Sequence, residues 1–182
     1  MSKHGTGGFD LMDVGDSQLY FDEPAVAGVD ALIAEAACHY GEPEAENKLL
    51  RAYFLAPSQL SVLVGMYRYY FYQHRLDDAL IVAERALDVS ARRLGLIGDW
   101  RDLGVHQIGE AVMRSMGLLR FHLLALKASA VVLLRMERIE EAKQRLAKLL
   151  ELDALDRLGV APLLEVVSQR IAESDPELAI AA

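Results

Sequence analysis

The sequence predicts an all-α protein: a short array of helical hairpins, interrupted once by an irregular insertion and closed by a C-terminal capping helix. Three observations on the 182 residues carry this. Apolar residues recur at three- and four-residue steps along most of the chain, the spacing that places them on one helix face. No segment shows sustained apolar–polar alternation bounded by hairpin turns, so strands are not expected. Small side chains repeat at a fixed interval of 34 residues: Ala45, Leu49, Ala52 and Pro57 fall onto Ala79, Ala83, Ala86 and Ala91. A period of that length marks stacked helix pairs.

Residues 1–23 read as a mobile lead-in, because Gly5, Gly7, Gly8 and Gly15 disfavour ordered backbone and Asp10, Asp13 and Asp16 break any apolar face. Phe9, Leu11, Leu19, Tyr20 and Phe21 are its apolar residues, with which it could dock onto its own fold or a partner. Residues 24–174 read as one α-helical domain. Pro24 suits a first helical turn, and Val26, Val29, Leu32, Ile33 and Ala36 share one face. The run Tyr40-Gly41-Glu42-Pro43 is a turn that opens a second helix, buried through Ala45, Leu49, Ala52 and Tyr53 and ended by Pro57. Further helices are predicted over 58–74 and from 77 to about 94. Gly95, Gly98 and Trp100 mark a turn. Residues 100–122 carry helical spacing weakened by Gly104, Gly109 and Gly117. Helices over 118–136 and 139–152 follow, then a last one over 160–173 with Pro162 in its first turn and Leu163, Leu164, Val167 and Ile171 facing inward. Residues 175–182 are a tail.

The text around the repeated alanines agrees in character. Glu42-Pro43-Glu44-Ala45, Leu76-Asp77-Asp78-Ala79 and Ile139-Glu140-Glu141-Ala142 each open a helix. This pattern resembles the tetratricopeptide repeat family, which places a small residue at the opening of the second helix and another seven residues on, so that two antiparallel helices can approach closely. Here the pairs are Ala45 with Ala52 and Ala79 with Ala86, whereas the third copy has Ala142 but Leu149. The resemblance implies a right-handed array with repeats at about 26–59, 60–93 and 123–156. The 29 residues 94–122 lie outside the period. A second resemblance, to small helical-repeat proteins of nitrogen-fixing bacteria, rests on Met66-Tyr67-Arg68-Tyr69-Tyr70-Phe71 followed by Arg75-Leu76-Asp77-Asp78-Ala79-Leu80.

Composition excludes several classes of function. A net charge of −8 disfavours nucleic acid as a partner, since phosphate binding requires clustered Lys and Arg. Cys38 is the one cysteine, which rules out an internal disulfide and a multi-cysteine metal site and fits a cytoplasmic setting. The longest apolar stretch, at 128–134, contains Ser129 and stops at Arg135; it is too short for a bilayer span of about 20 residues, so no membrane association is expected. The histidines at 4, 39, 74, 106 and 122 include no pair at i,i+4 spacing, and Cys38-His39 would point about 100° apart on a helix; no metal, cofactor or catalytic residue is assigned. Gly5-Thr6-Gly7-Gly8 lacks the strand and lysine of a phosphate loop. Glu140 and Glu141 suit a helix start, and Arg135, Arg138, Lys143 and Arg145 read mostly as a solvated face.

What remains is protein binding. In the tetratricopeptide family the first helix of each pair lines a concave face. Carrying its ligand-facing positions over gives Asp30 and Ala34 in the first repeat, Ser61, Val64, Arg68, Phe71 and Tyr72 in the second, and Lys127, Val131, Leu134 and Arg135 in the third. The resemblance thus implies a groove of aromatics and three cations, suited to an acidic or amphipathic segment of another protein. Tyr67 and Tyr70 fall where the family packs inside, and Tyr69 and Trp100 are candidate interface anchors, with capping as the plainer role for Trp100. Asn47, the single asparagine, leaves no carboxylate clamp of the chaperone-binding type. A homodimer through leftover apolar surface is compatible with so few repeats. The alternative is an accessory factor for a metalloenzyme or small molecule, with a cavity lined by Cys38, His74 or His106.

Overall fold

The structure, a computed structural model, describes residues 22–174; the readings made for 1–21 and 175–182, including the apolar lead-in residues and His4, lie outside the described residues. Seven α-helices form, with one 3-10 turn and no strand among the described residues: α1 Val29–Cys38, α2 Pro43–Leu55, α3 Leu60–Tyr72, α4 Leu76–Leu94, the turn Trp100–Asp102, α5 Val105–Arg135, α6 Ile139–Leu152 and α7 Ala161–Ser174. Each packs on the next in sequence, and α1 also touches α3. The Tyr67 hydroxyl of α3 reaches the Ala128 carbonyl of α5 at 3.4 Å, so α1, α3 and α5 form one layer. Arg145 of α6 meets Glu84 of α4 at 2.5 Å, which joins the opposite layer.

Small side chains sit where the helices press together. Ala45, Ala79 and Ala142 all lie in the first turn of α2, α4 and α6, fully buried, as are Ala52, Ala86 and Leu149 further along. Leu149 is accommodated without the small residue expected there. The turns into α4 and α6 are copies of one another. His74 and Glu137 adopt positive φ of 56° and 61°, which costs a non-glycine residue about 1 kcal/mol. Arg75 N–H then bonds to the Tyr70 carbonyl and Arg138 N–H to the Leu133 carbonyl, each at 2.9 Å. Each arginine also pairs with the acid three residues on, Asp78 and Glu141.

Two boundaries differ from the sequence reading. Pro24 does not start α1: residues 24–26 are irregular, and the helix begins after Gly28, whose φ of 81° suits glycine. Glu23, assigned to the mobile lead-in, is instead anchored. Its side chain is 6% exposed and pairs with Arg93 at 2.7 Å, while its carboxylate accepts from the N–H groups of Leu60 (2.8 Å) and Ser61 (3.1 Å). It therefore caps α3 from 37 residues away.

The second correction concerns 94–136. Two helices meeting near 118–122 were expected; α5 is two helical stretches that meet instead at Ser115, which has extended backbone (φ −164°, ψ 106°). Its hydroxyl accepts from Leu118 N–H at 3.2 Å, the work of a helix-capping serine. None of the three glycines makes the break. Beyond it, residues 121–130 are all buried, and burial of a Leu or Phe there contributes about 1.5–3 kcal/mol. By length and composition α5 could cross a bilayer, with mean hydropathy 1.7 over its most apolar window, but 78% of that window is buried inside the fold. A helix enclosed on all sides needs the same composition. Finally, α7 lies on α6 with Val167 buried and Leu163, Leu164 and Ile171 half-buried against the core.

Candidate partner-binding site

The aromatic run on α3 turns in more than one direction, because a helix advances about 100° per residue. Tyr67 and Tyr70 point into the core. Burial, reinforced by Glu46, pushes the Tyr70 phenol up to about 12; it donates to that carboxylate at 3.2 Å. Tyr72, at 56% exposure, faces out at the last turn of α3. Phe71 lies between these extremes: half-buried, stacked on Tyr67 at 5.8 Å and edge-on to Tyr72 at 6.2 Å.

Across the layer, the end of α5 comes up beside the end of α3. The Arg135 guanidinium lies 5.2 Å from the Phe71 ring centroid, and its Nη2 is 3.0 Å from Nδ1 of His74. Arg68 is half-buried one turn before Tyr72. Tyr40, in the turn after α1, closes the group with edge-on contacts to Tyr69 (6.0 Å) and Tyr72 (6.5 Å). The result is a partly exposed patch of Tyr40, Arg68, Phe71, Tyr72, His74 and Arg135 where α3 and α5 end. Such a surface offers broad aromatic contact and planar guanidinium donors, the chemistry that receives carboxylates and amphipathic segments.

Not every predicted residue joins it. Lys127 is 4% exposed and donates to the Leu158 carbonyl at 2.7 Å, tying α5 to the loop before α7, so it is not a groove cation. Along that face of α5 burial falls from Lys127 through half-buried Val131 to exposed Arg135. Tyr69 is 5% exposed; its ring is taken by Tyr40 and Tyr70, its hydroxyl lies 3.5 Å from the Glu42 carbonyl, and it anchors the α1–α2 turn rather than an interface. Val64 is buried, while Asp30 and Ala34 are exposed on α1. Arg145 is buried, not solvated, and donates to Ser129 at 2.6 Å. Trp100 is half-buried beneath the guanidiniums of Arg101 (4.3 Å) and Arg145 (5.2 Å). Cys38, His74 and His106 are exposed on separate elements and do not line one cavity.

The sequence reading missed Tyr40, and it named His74 only as a cavity-lining residue of the alternative reading, not as part of this patch. Tyr40 was absorbed into a turn, and no periodicity links a turn residue to rings about 30 positions later. Among the described residues no group of three or more His, Cys, Asp or Glu side chains is placed to hold a metal.

No family model matches the chain, and no solved structure matches it. A protein of Azotobacter chroococcum mcd 1, described as "Uncharacterized 19.8 kDa protein in nifW 5'region", is 45% identical over 164 residues, which is 90% of this chain and 92% of that protein.

Proposed function

On the premise that the chain belongs to one family with the Azotobacter chroococcum protein, we propose that it is a non-enzymatic protein-binding module of tetratricopeptide type, an adaptor or chaperone-like protein. It receives an acidic or amphipathic segment of its partner on the patch at the ends of α3 and α5. The observation that carries this is the placing of exposed Tyr72 and half-buried Arg68 on one face of α3, beside Arg135 over Phe71. An aromatic ring at the surface contributes contact area with only two side-chain torsions to fix, and a guanidinium adds paired hydrogen bonds to a carboxylate. Recovery of partners from the native organism tests it, comparing the wild-type chain with Arg68→Glu and Tyr72→Ala. Both variants should keep wild-type helicity by circular dichroism and lose the same partner by about tenfold or more, the loss typical of a hot-spot residue. Unchanged recovery of every partner would defeat the assignment.

A second reading is an accessory or maturation factor acting on a metalloenzyme of nitrogen fixation. It is favoured by the description of the Azotobacter relative as a protein in a nifW 5′ region and by the resemblance of 66–80 to helical-repeat proteins of nitrogen-fixing bacteria. The same recovery experiment separates the two, since this reading names the class of partner that Arg68→Glu would lose.

A further inference from the structure

Most of α3 is buried. The residues that are not, Ser61, Gly65, Arg68, Phe71 and Tyr72, succeed one another at three- and four-residue steps, so they form one open strip along the helix. The strip begins at Ser61. It ends about 20 Å further on, at the far end of the 13-residue helix, in the α3–α5 patch.

The chain enters the fold at the beginning of that strip. The Glu23 carboxylate accepts from the N–H groups of Leu60 at 2.8 Å and Ser61 at 3.1 Å and pairs with Arg93, so the residues ahead of it are tethered beside Ser61. Asp16 stands seven residues before Glu23, a span of about 23 Å as extended chain. Asp10 stands 13 residues before it, a span of about 20 Å as helix. Either path brings an aspartate level with Tyr72.

Residues 5–22 also have the composition that suits the patch. They include Asp10, Asp13, Asp16 and Asp22 and no lysine or arginine, and they interleave these acids with Phe9, Leu11, Leu19, Tyr20 and Phe21. The strip offers the complement: Arg68 midway, then Phe71 and Tyr72, with the Arg135 guanidinium 5.2 Å from the Phe71 ring centroid. Guanidinium groups bind carboxylates through paired hydrogen bonds, and the rings receive apolar side chains. Residues 175–182 are the poorer match, since Asp175 and Glu177 are their acidic side chains and they carry no aromatic ring.

Resting on the reading of the α3–α5 patch as a site for acidic amphipathic segments, we infer that the protein supplies the first occupant of that site itself. Residues 9–21 run back along the strip from Glu23, bringing the carboxylates of Asp10, Asp13 and Asp16 to Arg68 and Arg135 and the neighbouring apolar side chains to Phe71 and Tyr72. A partner's segment then binds by displacing them. A tethered segment meets its site at a local concentration of about a millimolar, so it holds that site even where the free peptide would bind at only about tens of micromolar. A competitor's apparent affinity falls by the fraction of sites left open.

The probe is a fluorescein-labelled peptide of residues 5–22, its binding followed by fluorescence anisotropy. The full wild-type chain is compared with a full-length variant carrying Asp10→Asn, Asp13→Asn and Asp16→Asn, substitutions that lie outside the described helices. The variant should bind the peptide about tenfold or more tightly than the wild type, because its own segment no longer holds the site. Adding Arg68→Glu should remove that gain. Asp175→Asn with Glu177→Gln, which takes charge of the same sign from the tail, should leave the wild-type affinity as it was. Equal binding by the wild type and the asparagine variant overturns the inference. So does an equal gain from the tail substitutions, which makes the tail the occupant or the effect one of net charge, and so does a difference that fades as the chain is diluted, which makes the occupant a second copy. Binding by neither form, while Arg68→Glu still loses a partner in the recovery experiment, strikes this inference and leaves the proposed function standing. A gain that survives Arg68→Glu strikes both.

Discussion

His122 shows how one side chain couples interior packing to solution conditions. Burial lowers its folded-state pKa from 6.5 to about 4, against a smaller opposing effect of the Leu87 backbone. Between those values the unfolded chain binds a proton that the folded chain does not, so stability is complete above pH 6.5 and declines as the pH falls toward 4. The full contribution is about 3 kcal/mol, at about 1.4 kcal/mol per pKa unit. Thermal unfolding followed between pH 7 and pH 4 should show a fall in midpoint that is distinctly smaller in His122→Phe; identical pH profiles for the two proteins would refute this account. Lys127 teaches the complementary lesson. From sequence it is a lysine on a helix face, and the resemblance to tetratricopeptide repeats placed it with Val131 and Arg135 in a groove. Its burial is decided by a carbonyl at Leu158, 31 residues away, which no local pattern encodes.

At the scale of elements, helix ends explain both what the sequence revealed and what it hid. Ends marked by local chemistry were legible: Pro43 opening α2, Gly95 closing α4 with φ 65° and the Leu96 N–H returned to the Ala91 carbonyl at 2.9 Å, and the acids at 140–141 opening α6. Ends made by distant or unusual residues were not. The Ser115 break uses a serine inside a continuous apolar pattern, and the twin turns use His74 and Glu137 where glycine would be the expected signal. The Glu23 cap is the extreme case, since its carboxylate serves helix N–H groups 37 and 38 residues on. Glu23→Ala removes both bonds and the pairing with Arg93. It should lower unfolding stability by about 1–2 kcal/mol, as loss of a capping side chain does, and chemical denaturation would read this directly. A midpoint unchanged from wild type would mean that the segment before α1 contributes nothing to α3.

For the molecule as a whole, α5 is the shared element. It packs on both α4 and α6, touches α3 through Tyr67, and reaches the loop before α7 through Lys127. The helices at the two ends of the array, α1 and α7, have neighbours on fewer sides. Stability in such an assembly is set by the number of interfaces each element shares. Amide hydrogen exchange should therefore be slowest across 121–130 and fastest in α1 and α7; equal protection along the array would contradict this. The all-α class and the succession of hairpins were legible because apolar spacing and the 34-residue interval are properties of the chain itself. The candidate binding patch was legible only in part: Arg68, Phe71, Tyr72 and Arg135 come together, whereas Lys127 and Tyr69 are consumed by packing.

The position of Glu23 has a practical consequence for handling the protein. The chain enters the fold at the beginning of α3, and Tyr72 stands at its far end, about 20 Å away along a 13-residue helix. A dye, bead or fusion joined directly to residue 22, in a chain shortened to begin there, is thus tethered at the opposite pole from the aromatic patch, which makes that attachment the orientation that leaves the proposed recognition end facing solution.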